Sequence, residues 1–463
     1  MGYFAEIADL DRKSVLHPST YLKEFASGEG GGPTIIESGA GVFIKDAAGK
    51  QYLDGFSGLY CVNVGYGRTE IADAIAKQAQ KIAYYHSYVG HTTDELAKLS
   101  ARLVEMAPGE MSKVFYGLSG SDANETQAKL VWYYHNLRGL PRKKKIIARD
   151  RGYHGCSVMS GSLTGMAFYH NQMDLPISGV LRTGAAYHYM DAVPGETEEQ
   201  FSDRRAAELE ALILKADPDT VGAFIAEPVM GTGGIVPAPS GYWTKIQAVL
   251  KKYDVLLIAD EVITGFGRTG RMFGSELYGI EPDLITVAKG LTCGYVPLSA
   301  SIISQKVYQV LEEGSARFGS FPHGYTYTGH PLGAAAANAV LDIIERDGLV
   351  AQAERRGAYL LAQLKDRFSE LPIVAEVRGV GLLAAIEFSP DPANKTAFDP
   401  ALHIGARIAQ GCRDRGLIAR GMPERDILGF APAFIVSELE IDQIVDVTDQ
   451  AVRQVMNQLA SKP

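Results

Sequence analysis

Between about residues 70 and 330, short apolar runs alternate with longer stretches in which apolar residues recur at helical spacing. The short runs are predicted to be buried strands, and the longer stretches, such as 71–83 and 96–106, are predicted to be helices. This alternation favours an α/β fold with a mainly parallel sheet and helices on both of its faces. Ligands of such sheets bind at the carboxyl ends of the strands. The predicted strands are residues 113–116, 145–148, 221–226, 255–259, 284–287 and 298–303.

The pattern differs on either side of this region. Residues 41–46 and 50–54 are predicted to form a short hairpin, and the glycines at 28 and 30–32 mark a flexible loop before it. After Pro331, four helices are predicted around a β-ribbon at 374–388 that bends at Gly379 and Gly381. We therefore expect a second, smaller α+β domain from residue 331 to residue 463. The predicted helices of this domain are 333–346, 352–371, 403–415 and 440–459.

The composition is that of an ordinary soluble globular chain, with 463 residues, 46% hydrophobic residues and a formal net charge of −9. The negative charge argues against a nucleic-acid partner and against an anionic membrane surface. No run of 18 apolar residues predicts a membrane span, and residues 1–13 lack the apolar core of a signal peptide. Cys61, Cys156, Cys293 and Cys412 are far apart and lack metal-ligand spacing, which fits a reducing cytoplasm.

Lys289 and Asp260 lie at or near the ends of two predicted strands. A lysine amine that loses its proton in a partly buried site is a Schiff-base nucleophile. An aspartate at the end of a buried strand needs a cation or a hydrogen-bond donor. Pyridoxal phosphate would meet both needs, because its aldehyde reacts with the lysine and its protonated ring nitrogen binds the aspartate. A metal site at Asp260 and Glu261 is the alternative, but no phosphate loop ending in Gly-Lys-Ser/Thr accompanies the pair.

The segment 118–126 follows a predicted strand and opens a helix. Small residues at Gly120 and Ser121 would let the free N–H groups of the helix N-terminus bind an anion such as phosphate. The alternative is simple capping, with Ser121 or Asp122 as the N-cap and Glu125 completing a capping box.

Three further residues each allow two interpretations. Tyr153 can stack on a planar cofactor or be an exposed loop tyrosine. Glu227 can orient a cation or a hydroxyl group, or it can cap a turn. Thr326 can donate to a phosphate, or its segment can be a hinge before the helix that Pro331 starts. The nearby histidines lack a third ligand at metal spacing, so we predict no metal site.

Five motifs, in this order, resemble those of the class III aminotransferases, which are pyridoxal-phosphate enzymes of fold type I. The resemblance covers nearly the whole chain, and segments 58–67 and 417–420 are similar to the branch of ω-amino acid and amine:pyruvate transaminases. The motifs are Ser119-Gly120-Ser121, Tyr153-His154-Gly155, Glu227-Pro228, Asp260-Glu261-Val262 with the 264–270 segment after it, and Lys289-Gly290. The resemblance implies a large cofactor-binding domain at 70–330 and a small domain at 331–463 to which residues 1–69 contribute.

The resemblance also implies roles for single residues. Lys289 would carry the cofactor as a Schiff base and move the proton, and Asp260 would keep the pyridinium nitrogen protonated. Thr326 would reach the phosphate in the neighbouring subunit, which implies a homodimer. The other implied contacts with the cofactor are Gly120 and Ser121 at the phosphate, Tyr153 and Val262 on the two ring faces, and Glu227 near the ring hydroxyl.

Arg420 is the candidate for binding a substrate carboxylate. A guanidinium binds a carboxylate through two parallel hydrogen bonds, and in the resembling enzymes the matching arginine swings out for an uncharged amine. The alternative is a surface arginine. Arg378 is a second candidate, although we expect it to brace the small domain.

The donor pocket is predicted to be more hydroxylated than that of many amine:pyruvate enzymes, which carry tryptophan in place of Tyr60 and phenylalanine near Tyr88. Tyr60, Tyr88, Tyr153 and Thr232 would each bring a hydroxyl group, and buried hydroxyls without partners disfavour an aryl-alkyl amine. The prediction is ping-pong transfer of an amino group from a polar or carboxylated ω-amino donor to pyruvate or a similar keto acid. The alternatives are another fold type I enzyme (decarboxylase, racemase or aminomutase) and a non-catalytic binding protein, against which the intact Lys289 argues.

Overall fold

The structure is a computed structural model that describes residues 3–28 and 32–461. Its strands in these ranges are β1 (Ile36–Ala40), β2 (Phe43–Asp46), β3 (Gln51–Asp54), β4 (Met111–Gly117), β5 (Lys145–Arg149), β6 (Val180–Thr183), β7 (Val221–Ala226), β8 (Leu256–Asp260), β9 (Leu284–Val287), β10 (Ser299–Ser304), β11 (Val374–Val380), β12 (Leu383–Phe388), β13 (Leu417–Ile418), β14 (Arg420–Gly421) and β15 (Ile427–Phe430). Its α-helices are α1 (Tyr3–Ser14), α2 (Leu22–Ser27), α3 (Ser57–Tyr60), α4 (Thr69–Lys81), α5 (Asp94–Met106), α6 (Gly120–Leu137), α7 (Val158–Leu163), α8 (His188–Asp191), α9 (Glu198–Ala216), α10 (Tyr242–Lys252), α11 (Gln305–Phe318), α12 (Pro331–Arg346), α13 (Leu349–Phe368), α14 (Ile404–Asp414) and α15 (Glu438–Ala460).

Seven strands form the central sheet in the order β4-β10-β9-β8-β7-β5-β6. Five neighbouring strands pair in parallel, in the order β6, β5, β7, β8 and β9. Strand β10 is antiparallel to both of its neighbours, β9 and β4. The predicted α/β fold with a mainly parallel sheet is therefore confirmed, and all the predicted strands are present. The sequence does not predict β6, because this strand has only four residues, lies at the sheet edge and includes Arg182.

Helices cover both faces of this sheet. In β7, Ala223 and Ile225 pack in the apolar cluster beneath α6, whereas Phe224 and Ala226 pack in the cluster beneath α10. The Ala-rich helix α12 packs against α4 and α5, and its small side chains from Ala334 onward are buried in the largest cluster. This burial on both faces explains why the strands read as continuous apolar runs.

The parallel strands bring several chain segments to one edge of the sheet. Asp260 is the last residue of β8, and Glu227 follows the last residue of β7. Tyr153 lies shortly after β5, and Lys289 lies shortly after β9. Since β4 runs in the same direction as β9, helix α6 also begins at this edge, at Gly120.

The described residues also form two smaller sheets. Their strand orders are β1-β2-β3-β13 and β11-β12-β15-β14. The predicted hairpin is present as β2 and β3, and the parallel pairing of Ile418 with Asp54 joins the N-terminal segment to the C-terminal region. The domain boundaries near residues 69 and 331 stay predictions. The predicted ribbon is β11 and β12, with its turn at Gly381.

The predicted bend at Gly379 is wrong. The register of the ribbon is irregular between Val374 and Glu376, whereas Gly379 pairs regularly with Ala384. Gly379 serves close packing instead, because a Cβ there would lie 2.3 Å from the Leu383 carbonyl oxygen.

The predicted helices are present as α4, α5, α12, α13, α14 and α15. In the predicted glycine loop, Gly28 and Gly32 have φ angles of 79° and 74°, and Gly30 and Gly31 lie outside the described residues. Across the described ranges, no helix combines the length and the apolar character that crossing a bilayer requires.

Candidate active site

A cavity of about 1080 Å³ opens at the carboxyl edge of the central sheet. Lys289 and Asp260 both line it. It is also lined by most of the other predicted site residues, namely Tyr60, Gly120, Ser121, Tyr153, Glu227, Thr232, Val262 and Arg420. Tyr88 and Thr326 lie outside this lining. The structure therefore brings together residues from motifs that are far apart in the sequence, with these two exceptions.

Lys289 has a strained backbone just after β9. Its φ is 38°, in the left-handed region that residues other than glycine rarely adopt. The next residue, Gly290, must be small, because a Cβ there would lie 2.4 Å from the side-chain nitrogen of Asn63. The Lys289 Nζ lies 5.8 Å from the centre of the Tyr60 ring. Burial lowers the pKa of Lys289, which favours the neutral and nucleophilic amine.

Asp260 is buried and held by donors from three segments. Its Oδ2 accepts hydrogen bonds from Asn124 Nδ2 and from His154 Nδ1, both at 2.8 Å. Its Oδ1 accepts from the Val262 backbone N–H at 3.1 Å. Thr286 in turn donates to the Asn124 side-chain oxygen at 2.8 Å, so the amide cannot rotate freely. This network fixes the direction in which the carboxylate faces the cavity.

Two of these donors, Asn124 and His154, were not predicted as site residues. His154 lies within the Tyr153-His154-Gly155 motif, which was the available signal for it. Asn124 lies on the first turn of α6, and only the tertiary fold shows that it meets Asp260. The Asn124 amide also donates to the backbone carbonyl of His154, at 2.7 Å.

The N-terminus of α6 is capped differently from the predicted alternative. Ser119 is the last extended residue, and its hydroxyl accepts from the Asp122 N–H while Asp122 accepts from the Ser119 N–H. The interpretation with Ser121 or Asp122 as the cap and Glu125 completing the box is therefore wrong. Glu125 instead accepts from backbone N–H groups at the start of α7. Ser121 is left free of the capping role.

A hollow lies in front of this helix N-terminus. Its walls are close, because a Cβ on Gly120 would lie 3.0 Å from Val262 and a Cβ on Gly155 would lie 2.6 Å from the Ser121 hydroxyl. Gly155 also has a φ of 128°, which an L side chain rarely adopts. The Ser121 hydroxyl accepts from the Cys156 N–H at 3.2 Å and lies 3.8 Å from the Cys156 Sγ. Because a thiol sulfur is a weak acceptor, the Ser121 proton is available to a stronger one. Backbone N–H groups, a hydroxyl donor and the helix dipole together fit a phosphate group.

Buried polar atoms without partners also mark the cavity. Among the described residues, the Tyr60 hydroxyl, His154 Nε2 and Glu227 Oε2 are buried and have no hydrogen-bond partner. Burial raises the pKa of Tyr60 and that of Glu227. Because buried polar groups nearly always have partners, three unpartnered ones in this region indicate a ligand with polar substituents.

Tyr153 and Glu227 are built into the site. Tyr153 is half-buried, its ring centre lies 5.2 Å from that of Tyr169, and burial raises its pKa to about 12. The alternative of an exposed loop tyrosine is therefore wrong. Glu227 accepts from the Gly231 N–H at 3.1 Å and so caps a turn. It also lines the cavity, and its role toward a cation or a hydroxyl group stays a prediction.

The metal alternative at Asp260 and Glu261 has no support in the geometry. The Glu261 carboxylate accepts from the backbone N–H groups of Gly274 and Ser275, at 2.8 and 2.7 Å, and does not line the cavity. Over the described part of the chain, no group of three or more His, Cys, Asp and Glu side chains is arranged to hold a metal ion. Glu261 therefore organises the loop after β8.

The two candidate arginines differ in their partners. The Arg420 guanidinium lines the cavity 5.5 Å from the centre of the Phe56 ring, and it has no side-chain hydrogen bond or ion pair within the described residues. Arg378 forms an ion pair with Glu387 at 2.9 Å and donates to the carbonyl of Gly234 at 2.7 Å. Arg378 thus braces the structure, as expected, and Arg420 remains available to a ligand.

Tyr88 and Thr326 lie near each other on the outside of this single chain. The Tyr84 hydroxyl donates to the Thr326 carbonyl at 2.6 Å, and a Cβ on Gly324 would lie 2.6 Å from the Tyr88 hydroxyl. Both residues are exposed. Their roles at a cofactor or a substrate therefore stay predictions.

Comparison with known proteins shows the family. The model of the family described as Aminotransferase class-III matches residues 25–452, and the chain belongs to this family. It is 54% identical over 456 residues to diaminobutyrate–2-oxoglutarate transaminase from Halomonas elongata, covering 98% of this chain and 97% of the relative. It is 43% identical over 423 residues to gamma aminobutyrate transaminase 1, mitochondrial, from Solanum lycopersicum, covering 91% and 82%. The crystal structure of the omega transaminase from Pseudomonas jessenii in complex with PMP has a TM-score of 0.95 and 40% identity, covering 99% of this chain and 100% of that one.

The enzyme is thus a class III aminotransferase that uses pyridoxal phosphate, and this confirms the predicted family, fold type, enzyme class and cofactor. The site fits that cofactor, because it offers an amine, a carboxylate and a phosphate-sized hollow around one cavity. Bound pyridoxal phosphate supplies an aldehyde for amines and a ring that withdraws electrons from them.

Proposed function

We propose that this transaminase moves an amino group from a polar or carboxylated ω-amino donor to pyruvate or a similar keto acid. The observation that carries the proposal is the Arg420 guanidinium, which lines the same cavity as Lys289 without a hydrogen-bond or ion-pair partner among the described residues. A partly buried guanidinium without a counterion favours a carboxylate ligand. The names of two relatives, a diaminobutyrate and a gamma-aminobutyrate transaminase, support donors of this class.

The hydroxyl groups of the cavity support the polar character of the donor. Tyr60 has an unpartnered buried hydroxyl, and Tyr153 and Thr232 line the same space. An apolar aryl group placed against Tyr60 would leave that hydroxyl without a partner, which costs about 1–3 kcal/mol. A donor with a polar end instead offers Tyr60 an acceptor.

The residues of the chain divide the work of the reaction. Lys289 would hold the cofactor between turnovers and would move the proton at the donor carbon. Asp260, fixed by His154 and Asn124, would hold the positive charge at the ring nitrogen. Gly120 and Ser121 would bind the phosphate group. Tyr153 and Val262 would cover the ring, and Glu227 would bind near its hydroxyl group.

Both halves of the ping-pong cycle use this one cavity. Arg420 binds the carboxylate of the keto acid in the second half, and it binds the far carboxylate of an ω-amino acid or moves aside for an uncharged amine in the first half. One arginine can therefore serve two substrates of different length, provided that its side chain is free to move.

A homodimer would complete the site. We infer that Thr326 reaches the phosphate in the neighbouring subunit and that Tyr88 lies in that subunit's donor pocket. The exposed aromatic rings of Tyr84, Tyr85, Tyr88 and Tyr327 lie around Thr326 and suit a subunit contact. The cysteines in the described part of the chain are free thiols, in keeping with the proposed cytoplasmic location.

A panel of donors with pyruvate as acceptor tests the proposal. We expect β-alanine, 4-aminobutyrate and taurine to react faster than 1-phenylethylamine, and the reverse order would refute the proposed donor class. Incubation of the holoenzyme with a donor alone should convert its cofactor stoichiometrically into pyridoxamine phosphate. A decarboxylase, racemase or aminomutase would not accumulate that product.

A further inference from the structure

The segment 421–426, which follows Arg420, forms the turn between β14 and β15. It is held by the pairing of these strands, by the Gly405 N–H that donates to Asp426 Oδ1 at 2.8 Å, and by two ion pairs. Arg425 Nε lies 2.7 Å from Glu387 Oε1, and Glu424 Oε2 lies 3.3 Å from Arg151 Nη1. The Arg420 guanidinium has no ion-pair partner among the described residues, whereas the segment that follows it is held by ion pairs.

The two ion pairs differ in strength. The Glu387 carboxylate is fully buried and also contacts Arg378 and the Tyr187 hydroxyl. Its ion pair with Arg425 therefore anchors the Arg425 side chain in the core. Arg151 and Glu424 are 16% and 27% exposed, and water competes for both charges. An ion pair of this kind contributes little free energy and opens easily. Of the two ion pairs, the Arg151–Glu424 pair is thus the one that opens more easily.

Arg151 also contacts the other segments that face the substrate. It lies two residues before Tyr153, with a left-handed φ of 63°. Its Nε and Nη2 atoms donate to the Gly233 carbonyl at 3.1 and 2.9 Å, next to Thr232 in the cavity lining. One guanidinium therefore connects the backbones that carry Tyr153, Thr232 and Arg420.

We propose that the Arg151–Glu424 ion pair is a tether that holds Arg420 in its carboxylate-binding position and so sets the preference for carboxylated over uncharged substrates. The proposal rests on the proposed role of Arg420. With the tether closed, segment 421–426 is fixed and the guanidinium faces the cavity. With the tether open, the turn loosens at Glu424 while β14 stays paired with β15, so the Arg420 guanidinium is held less firmly in its position. An uncharged substrate then loses nothing, whereas a carboxylate loses part of its binding. Arg151 and Glu424 are positioning residues, because they act through Arg420.

Glu424→Gln tests the tether, because it removes one charge and nearly no volume. The probe is a matched pair of donors, 4-aminobutyrate and 4-methylpentylamine, in which an isopropyl group replaces the carboxylate. Each donor alone is mixed with the holoenzyme, and conversion of the cofactor into pyridoxamine phosphate is followed in a single turnover. This half-reaction avoids the keto acid, whose own carboxylate would confuse the comparison.

We expect the apparent dissociation constant of 4-aminobutyrate to rise about fivefold in Glu424→Gln, as suits an ion pair of this exposure, with its maximal rate unchanged. The values for 4-methylpentylamine should not change. Glu354→Gln is the control, since Glu354 forms an ion pair with Arg271 at 2.9 Å that is more exposed than the Arg151–Glu424 pair and lies outside the cavity lining. It should leave both donors unaffected. In an Arg151→Met background, Glu424→Gln should have no further effect.

Two results would overturn the proposal that the Arg151–Glu424 pair is a tether. One is an unchanged dissociation constant for 4-aminobutyrate in Glu424→Gln, and the other is an equal loss for both donors, which would indicate general distortion. Arg420→Met separates this failure from that of the proposed function. If Arg420→Met abolishes the preference for 4-aminobutyrate while Glu424→Gln keeps it, only the tether is wrong. If Arg420→Met keeps the preference for 4-aminobutyrate, the proposed carboxylate-binding role of Arg420 is wrong, and the tether proposal is then wrong as well.

Discussion

Asp54 closes the turn that carries Tyr60 into the cavity, and Asp54→Asn should loosen that turn. Asp54 ends β3 and is 2% exposed. Its Oδ1 accepts from the Phe56 N–H at 2.9 Å, and its Oδ2 accepts from the Gly58 N–H and the Tyr66 hydroxyl, both at 2.6 Å. Both oxygens therefore receive a backbone donor.

These bonds hold a backbone that is strained. Ser57, Gly58 and Tyr60 have φ angles of 49°, 66° and 63°, all in the left-handed region. Such a conformation persists in serine and tyrosine only when the surroundings enforce it. The Asp54 carboxylate is a main part of those surroundings, so its loss should let Tyr60 leave its position beside Lys289.

The magnitude follows from the geometry of the asparagine amide. Whichever way the amide is turned, its NH₂ group faces one backbone N–H, of Phe56 or of Gly58. The Tyr66 hydroxyl can reverse and accept, but a backbone N–H cannot. One hydrogen bond to a charged group is lost and one buried donor is left unpaired, so the free energy of unfolding should fall by about 2–4 kcal/mol. Displacement of Tyr60 should lower kcat/KM for the donor by about tenfold or more.

Asp46→Asn is the matched control. Asp46 forms the same kind of turn in the β2–β3 hairpin, outside the cavity lining, but both of its backbone donors, Ala48 and Lys50, bind Oδ1. Among the described residues, its Oδ2 accepts only from the Tyr52 hydroxyl, which can reverse its direction and accept instead. We therefore expect a loss of only about 1 kcal/mol in Asp46→Asn and no change in kcat/KM. Urea unfolding and donor kinetics measure both effects, and equal stability losses, or unchanged kinetics in Asp54→Asn, would refute the reasoning.

Three further predictions concern the cofactor. Lys289→Ala should abolish both turnover and the visible absorbance of the lysine-bound cofactor, and a variant that keeps both would contradict the assignment. His154→Phe removes one donor to Asp260 and should weaken cofactor binding by about tenfold or more, measured by titrating the apoenzyme. Since burial lowers the pKa of Lys289 from its ordinary 10.5, capture of added cofactor by the apoenzyme should accelerate with rising pH and level off below pH 10.5. Stopped-flow absorbance measures this profile, and a midpoint at or above 10.5 would count against it.

The sequence predicts the cofactor half of the site well, and the reason is topological. Parallel strands end at one edge, so residues that follow predicted strands, such as Asp260, Glu227 and Lys289, must lie near one another. The periodicity of the strands is strong because both faces of the sheet are buried, and this makes their ends visible in the sequence. Strand β6 lacks that burial on the sheet edge and is not predicted.

The details of this half depend on contacts that no local pattern encodes. Asn124 on helix α6 and His154 on the loop after β5 bind one oxygen of Asp260, and their spacing in the sequence carries no sign of it. The cap of α6 is at Ser119 and not at Ser121 or Asp122, because the helix begins where the backbone first turns from its extended form. A difference of two or three residues decides whether Ser121 caps the helix or faces the hollow.

The residues proposed to contact the substrate are positioned by other sheets. Tyr60 follows β3 and Arg420 lies on β14, whereas Lys289 and Asp260 belong to the central sheet. Asp54, which holds the Tyr60 turn, pairs with Ile418, two residues before Arg420. The two segments of the chain approach so closely that a Cβ on Gly55 would lie 2.8 Å from the Ile418 carbonyl oxygen.

This pairing couples Tyr60 and Arg420, the two residues proposed to contact the substrate, more directly to each other than to Asp260 and Lys289. A shift of β13 relative to β3 would move the Tyr60 turn and the base of Arg420 together, while the strands that hold Asp260 and Lys289 stay in place. If Tyr60 and Arg420 select the donor as proposed, the choice of donor can change through the small sheets and through the Arg151–Glu424 pair without altering the central-sheet strands. The same separation explains why the reaction class is evident from motifs at strand ends, whereas the proposed donor residues depend on how β3, β13 and segment 421–426 pack.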